Sequence, residues 1–370
     1  MSLKPLALSF LLPWFLSGHV LSQSPPRDMI SRLEKASAGD LQKILPRFPS
    51  ADTNGDGTLT REEAIAFARS GAGGNPEKTN GKGSKGPAPT RGNVSYGSHE
   101  RHVLDFWKAE AEGPRPLVIF IHGGGFTGGD KSKWREAPEL GRLLDSGVSC
   151  AAINYRFRKD APIQEILRDA ARALQFLRSQ SGDFGIAKDQ IAGWGGSAGA
   201  GTSLWLATRD DLADPAAEDP VLRESSRLQA AVLQSTQATY DLTRWEAFLG
   251  PADPSWWQSP NEAAEFYHFP VMEDLKKPEA LPILRECDML HWISSGDAPV
   301  FISNRLPDEP SKNRGHYLHH PAHAREIHLA CEKAGVPCLW AEAPDQGGGK
   351  ADPVKFVLSA LKVNPGGEAE

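Results

Sequence analysis

The sequence predicts an α/β fold: a mainly parallel central sheet with helices on both faces, preceded by a small helical module. Two observations predict the sheet. From Val94 onward, short apolar runs alternate with amphipathic stretches, the signature of successive β-α units. The run Leu117–Ile121 is apolar almost throughout, as a strand covered on both faces must be. A third observation, an acidic twelve-residue loop between helical stretches at 52–63, sets the leading module apart. The chain has 370 residues, 39% hydrophobic and 24% charged, with a formal charge of −6. That is room for one large and one small globular domain, and the absence of a long basic block argues against a nucleic-acid partner.

Residues 1–22 read as a signal peptide. Lys4 precedes the apolar stretch Leu6–Leu16, Ser17-Gly18 follows, and small residues at Val20 and Ser22 suit cleavage before Gln23. The apolar run is short for a bilayer, so no stable membrane span is expected after cleavage, with a retained anchor as the alternative. The location expected is secreted or periplasmic. Residues 23–70 form a helical region with helices expected at Leu41–Phe48 and Arg61–Arg69. Residues 71–92 are rich in Gly, Pro, Lys and Asn, a composition that cannot offset its ordering entropy by apolar burial, and read as a flexible linker. The main domain spans 93–363. Four cysteines, Cys150, Cys287, Cys331 and Cys338, are compatible with disulfides or with buried thiols.

Within the main domain, strands are expected at His102–Trp107, Leu117–Ile121, Ala151–Tyr155, Ile191–Trp194, Leu228–Leu233, Val300–Ser303 and Cys338–Ala341. Pro162–Gln180 is a helix with Ile163, Ile166, Leu167, Ala170, Leu174 and Leu177 on one face. Further helices are expected at Ala198–Thr208, Ala322–Ala334 and Pro353–Leu361. The stretch from Tyr240 to Asp297 has no clean period and reads as an insertion or cap.

The loop from Asp52 to Glu63 matches the twelve-residue EF-hand pattern. Asp52, Asn54 and Asp56 offer side-chain oxygens, Thr58 a backbone carbonyl, Thr60 a direct or water-mediated contact, and Glu63 both carboxylate oxygens. Gly57 stands where the loop bends. A shell of six or more hard oxygens suits calcium better than magnesium, and a single unpaired loop implies weak, structural binding. A chance acidic turn is the alternative.

Gly195-Gly196-Ser197-Ala198-Gly199 satisfies G-x-S-x-G between an expected strand and an expected helix. Such a turn pushes the serine hydroxyl out at the carboxyl edge of a sheet, and its small neighbours let the backbone bend. The Ala198 N–H then faces a developing oxyanion. His122-Gly123-Gly124-Gly125-Phe126 follows the strand Leu117–Ile121, so Gly124 or Gly125 can donate the second N–H; His122 supports that loop and is not a base.

With HGGGF, GGSAG, Asn154-Tyr155-Arg156, Asp169 and Asp183-Phe184-Gly185-Ile186, the stretch 94–210 resembles the esterase/lipase branch of the α/β-hydrolases, near acetyl-xylan and feruloyl esterase-like proteins. The resemblance implies an α/β-hydrolase fold and cleavage of carboxylic esters, including acyl groups of polysaccharides, with no catalytic cofactor. It places the acid after the seventh expected strand, at Asp308 or, second, Glu309; a solvated acidic loop is the alternative. It places the histidine after the last strand, where this chain has Ala343-Pro344-Asp345-Gln346-Gly347-Gly348-Gly349, and no histidine follows His328. Two readings stand. One of His316, His319, His320 or His323 reaches Ser197 from the loop after the seventh strand. Otherwise the protein is a catalytically impaired hydrolase-fold binding protein. Trp245, Trp256, Trp257, Phe266, Tyr267 and Phe269 of the insertion could then stack on sugar rings or simply pack as core.

Overall fold

The computed structural model describes residues 36–42, 58–64, 86–342 and 351–363, and the chain divides into two compact units, Met1–Gly83 and Ser84–Glu370. In the first, the helix Ala38–Gln42 and the helical residues 61–64 belong to one small cluster in which Leu41, Leu59 and Ala64 are buried. The Leu59 N–H donates to Gln42 Oε1 (3.2 Å) and Arg61 donates to the Ala36 carbonyl (3.0 Å). The expected signal peptide, the loop residues Asp52, Asn54 and Asp56 and the far ends of both expected helices lie outside the described residues.

The second unit is built on an eight-stranded sheet in the order β1-β2-β4-β3-β5-β6-β7-β8. The strands are β1 Arg91–Ser95, β2 Val103–Trp107, β3 Arg115–Ile121, β4 Ser149–Ile153, β5 Ile186–Gly196, β6 Ala230–Gln234, β7 Val300–Ser303 and β8 Cys338–Trp340. β2 pairs antiparallel with β1 and β4; from β4 to β8 every pairing is parallel. The fold is the α/β-hydrolase fold that the alternation and the elbow predict.

Helices cover both faces. Ile163–Ser179 lays its apolar stripe on one core, with Ile166, Leu167, Leu174 and Leu177 buried against Leu117, Ile119 and Ile191. Pro138–Asp145 and Pro353–Ala360 close the other face over Val118, Trp194 and Val232. Each fully buried Leu or Ile side chain contributes roughly 1.5–3 kcal/mol. The helix Ala198–Thr208 is buried along its whole length and has no polar face, because it runs inside the layer between sheet and insertion.

Among the elements that go beyond the sequence expectations are two that flank the sheet. β1 is short and polar, carries a positive φ at Asn93 (53°) and shifts register between Arg91 and Val94; an exposed edge strand needs no apolar alternation. Pro138–Asp145 is the other. Residues 86–92, the last part of the expected linker, pack onto the sheet unit. Trp107 Nε1 donates to the Pro87 carbonyl (2.8 Å), the Gly86 N–H to Arg135 O (2.8 Å) and the Lys108 N–H to Thr90 Oγ1 (2.9 Å). All four cysteines are free thiols.

A buried charge cluster ties the end of β4 to the long helix. Arg156 grips Asp169 through Nε (2.9 Å) and Nη2 (2.7 Å), its backbone N–H donates to the same carboxylate (3.0 Å), and His102 Nε2 lies 3.1 Å away. Burial alone would raise the Asp169 pKa, but hydrogen bonds from His102 and Arg156 outweigh it and hold the carboxyl below its ordinary value. Asp169→Ala strands Arg156 in a partly buried site and is expected to destabilise the unit by about 3–5 kcal/mol in urea unfolding. Because the folded pKa is depressed, the contribution of Asp169 is present above the ordinary carboxylate range. It is lost as pH falls through the folded value, so the gap between wild type and variant should close in acid.

Candidate active site

The site lies where the sheet order reverses. β3 sits between β4 and β5, so the chain leaves β3 towards one edge and β5 towards the other, opening a crevice at their carboxyl ends. Ile121 pairs with Gly195. The segments that follow, His122–Phe126 and Gly196–Ala198, therefore emerge side by side. A Cβ on Gly123 would come within 2.7 Å of the Gly196 carbonyl oxygen and 3.3 Å of Ser197 Cβ, and a Cβ on Gly199 would overlap the Ile121 carbonyl. Glycine is what lets the two motifs touch.

Ser197 has φ 52° and ψ −122°, a conformation costly for an L-residue and characteristic of a strained functional turn. Its N–H donates to Gln234 O at 2.8 Å, anchoring the elbow to β6, while its half-buried side chain stays accessible. Ala198 opens the helix Ala198–Thr208, so its N–H has no intrahelical acceptor. Tyr240 Oη donates to the Ala198 carbonyl (2.7 Å) and steadies that first turn. In the facing loop Gly124 (φ 116°), Gly125 (φ 60°) and Phe126 (φ 60°) bend the chain back. Among the described residues, the N–H groups of Gly124 and Gly125 donate to no protein acceptor, which leaves donors for an incoming oxyanion.

His122 supports this loop. Its ring stacks on Tyr155 (4.3 Å between centroids), Nδ1 lies 2.7 Å from Gly123 O, and Tyr155 Oη donates to its carbonyl (2.6 Å). Burial pushes its pKa down to about 4.

Of the four histidines near the loop after β7, His319 reaches the serine: its Nε2 lies 3.3 Å from Ser197 Oγ. That is a long hydrogen bond, within the range of serine–base pairs before substrate tightens them. Its other nitrogen, Nδ1, lies 2.9 Å from the Ser235 carbonyl oxygen and 3.1 Å from Gln237 Nε2. Asn304, directly after β7, donates from Nδ2 to the His319 carbonyl (2.8 Å), and the Asn304 N–H donates to Glu342 just after β8 (2.8 Å). Two strand ends thus fix the backbone of His319. Burial lowers the His319 pKa from its ordinary value, and the bond to Ser235 O opposes this in part.

The other histidines do different work. His323 is fully buried, accepts from the Ala238 N–H (3.1 Å) and lies edge-on to Trp245; burial pushes its pKa down to about 3. His320 accepts from the Ala322 N–H at the start of the helix Pro321–Ala334 (3.0 Å), and His316 Nε2 contacts Pro307 O (2.9 Å). Asp308 lies in an exposed loop, paired with Arg325 and 3.8 Å from His320. Glu309 pairs with Lys312 (3.0 Å). Neither carboxylate contacts His319, because the loop after β7 projects them outward. Among the described residues no carboxylate is hydrogen-bonded to the His319 ring. Ser235, Gln237 and Asn304 also meet here, and their residue types carry no catalytic pattern in the sequence.

In the insertion, Trp245, Phe266 and Tyr267 are buried core. Trp256 and Trp257 are half-buried and ring Tyr317 at 5.7 and 6.2 Å between centroids. Trp245, Trp257 and Tyr317 border a groove of about 820 Å³.

A strained serine at the switch point, an imidazole on its hydroxyl and free N–H donors opposite make up the nucleophile site of an α/β-hydrolase fold. The chain belongs to the BD-FAE family, whose model matches residues 104–308. It is similar to the probable carboxylic ester hydrolase LipM of Mycobacterium tuberculosis, 30% identical over 220 residues, 55% of this chain and 48% of that protein. The esterase LipQ of the same organism is 28% identical over 270 residues, 66% of this chain and 60% of that one. The chain thus spans about half to three-fifths of the length of these relatives. Among solved structures, a truncated form of a carbohydrate esterase from gut microbiota shares the fold, with a TM-score of 0.58, 17% identity and coverage of 76% of this chain and 100% of that one. The bifunctional GH43-CE protein of Bacteroides eggerthii gives a TM-score of 0.55 at 18% identity, covering 74% of this chain and 37% of that one.

The depressed His319 pKa has a kinetic consequence. The imidazole must be neutral to accept a proton, so the acid limb of Ser197 phosphonylation by a fluorophosphonate, followed as rate against pH, is expected below the ordinary imidazole value of 6.5.

Proposed function

We propose that the protein is an exported serine esterase in which Ser197 and His319 form a catalytic dyad. The 3.3 Å approach of His319 Nε2 to Ser197 Oγ at the strained elbow carries this reading. His319 removes the hydroxyl proton as Oγ attacks the ester carbonyl. The N–H groups of Gly124, Gly125 and Ala198 stabilise the tetrahedral oxyanion. The C–O bond to the alcohol then breaks, and the alkoxide leaves with the proton from His319. Water, deprotonated by the same imidazole, attacks the acyl-serine; the acyl C–Oγ bond breaks, Oγ takes the proton back from His319, and the acid leaves. The contact supports an active enzyme over the catalytically impaired alternative.

Asp308 takes no part in this scheme, since its carboxylate is engaged with Arg325. Acyl groups on polysaccharide are the substrates we favour, because Trp256 and Trp257 offer half-buried aromatic faces on which a sugar ring can stack. The signal-peptide pattern of residues 1–22 supports export to an extracellular or periplasmic location.

We also propose that the leading unit binds calcium. In the described half of the loop, Glu63 Oε2 accepts from the Thr60 N–H (3.0 Å) and Thr60 Oγ1 (2.7 Å), so the carboxylate is drawn back over the start of the helical residues 61–64. That position fits the closing ligand of an EF-hand, for which Thr58, Thr60, Asp52, Asn54 and Asp56 would supply the remaining oxygens. The ion would organise the loop and take no part in ester cleavage.

Ser197→Ala and His319→Ala are each expected to lower kcat on p-nitrophenyl acetate by about 10³-fold or more, with unchanged circular dichroism. Fluorophosphonate labelling should vanish in the first and slow by a similar factor in the second. Full activity of His319→Ala would refute the dyad. For the leading unit, millimolar calcium should raise the Tm of wild type and leave Glu63→Gln unmoved; an equal response in both would exclude this loop as the site.

A further inference from the structure

We infer that Gln237 is a positioning residue that occupies the place of the missing acid and, as an amide, holds His319 partly in the tautomer that cannot activate Ser197. The inference rests on the Ser197–His319 dyad proposed above. Gln237 lies three residues beyond the end of β6, is 6% exposed, and is held by a turn with two anchors. Ser235, at φ 49°, donates its N–H to the Ser303 carbonyl (2.8 Å), and the Ala238 N–H donates to His323 Nδ1 (3.1 Å).

Two groups meet at His319 Nδ1 with opposite demands. The Ser235 carbonyl, at 2.9 Å, can only accept and requires Nδ1–H. The Gln237 amide nitrogen, at 3.1 Å, can only donate and requires a lone pair there. The Gln237 amide cannot escape by exchanging its ends, because the same nitrogen donates to the Leu318 carbonyl at 2.8 Å, another obligate acceptor. When Nδ1 carries the proton, Nε2 presents its lone pair to Ser197 and the serine is activated. When Nδ1 accepts from Gln237, Nε2 carries the proton and the serine is idle.

The same amide dipole opposes the imidazolium that forms as Ser197 attacks, since the charged ring carries a proton at Nδ1. The other titratable groups near the ring are its chain neighbour His320, whose Nε2 contacts Glu309 O, and the buried His323, which burial keeps neutral. Asp308 is paired with Arg325, and Glu342 is engaged by Ser303 and Asn304. A carboxylate at position 237 would accept from Nδ1–H and complete a triad, at the cost of the Leu318 contact.

The test uses the full chain with Gln237→Glu, Gln237→Met and His319→Ala. In ¹⁵N-histidine-labelled protein, His319 assigned by its loss in His319→Ala should show Nδ1 and Nε2 shifts of a tautomer mixture. Gln237→Met, which keeps the length and removes the donor, should move it to the Nδ1–H form. Gln237→Glu should raise the acid limb of kcat/KM by about one pH unit or more and raise kcat about tenfold or more, the effect expected of an opposite charge at hydrogen-bond distance. An acid limb and kcat unchanged in Gln237→Glu, or a tautomer unchanged in Gln237→Met, with His319→Ala inactive, would overturn the role of Gln237 while leaving the dyad intact. Wild-type activity in His319→Ala would overturn the dyad and this inference together.

Discussion

The parallel pairing of β3 with β5 is the constraint on which the rest depends. With Ile121 opposite Gly195, the loop after β3 and the elbow after β5 must leave the sheet in contact. Gly123 and Gly199 are needed because side chains there would collide with the facing backbone. Strain at Ser197 persists because β5, the Gln234 carbonyl and the buried helix Ala198–Thr208 all hold it. Without that frame the serine would relax into an ordinary helix N-terminus and its hydroxyl would lose its aim.

Histidine burial separates the roles of chemically identical rings. His122 and His323 are enclosed, and burial lowers their pKa so far that they are neutral spacers and hydrogen-bonding props. His319 is half-buried, faces the crevice, and keeps one nitrogen on Ser197. Its surroundings are neutral: a carbonyl, an amide and a serine hydroxyl. A base in such a setting gains orientation from hydrogen bonds and little electrostatic help in forming its cation.

Much of this was legible in the sequence, for physical reasons. Strands covered on both faces read as apolar runs, and Val300–Ser303 and Ala198–Thr208 lie where the pattern places them. The edge strand β1 escaped because its polar face needs no period. The two glycine motifs were legible because close backbone approach demands residues without side chains. His319 was legible only as one of four, since selecting it requires the turn that sets it beneath β6 and the Asn304 bond that fixes its backbone. Asp308 sits at the sequence position expected of an acid, yet its loop turns it outward to Arg325. Gln237 carries no chemical signal at all; its meaning comes from a 3.1 Å contact across 82 residues of chain.

A crystal structure of the protein phosphonylated by a fluorophosphonate decides directly which imidazole serves Ser197. Phosphorus is expected on Ser197 Oγ. The phosphoryl oxygen should be held by N–H groups of Ala198 and the Gly124–Gly125 loop, with His319 Nε2 at about 3 Å from an adduct oxygen. An adduct with His319 turned away and no imidazole in reach would contradict the dyad.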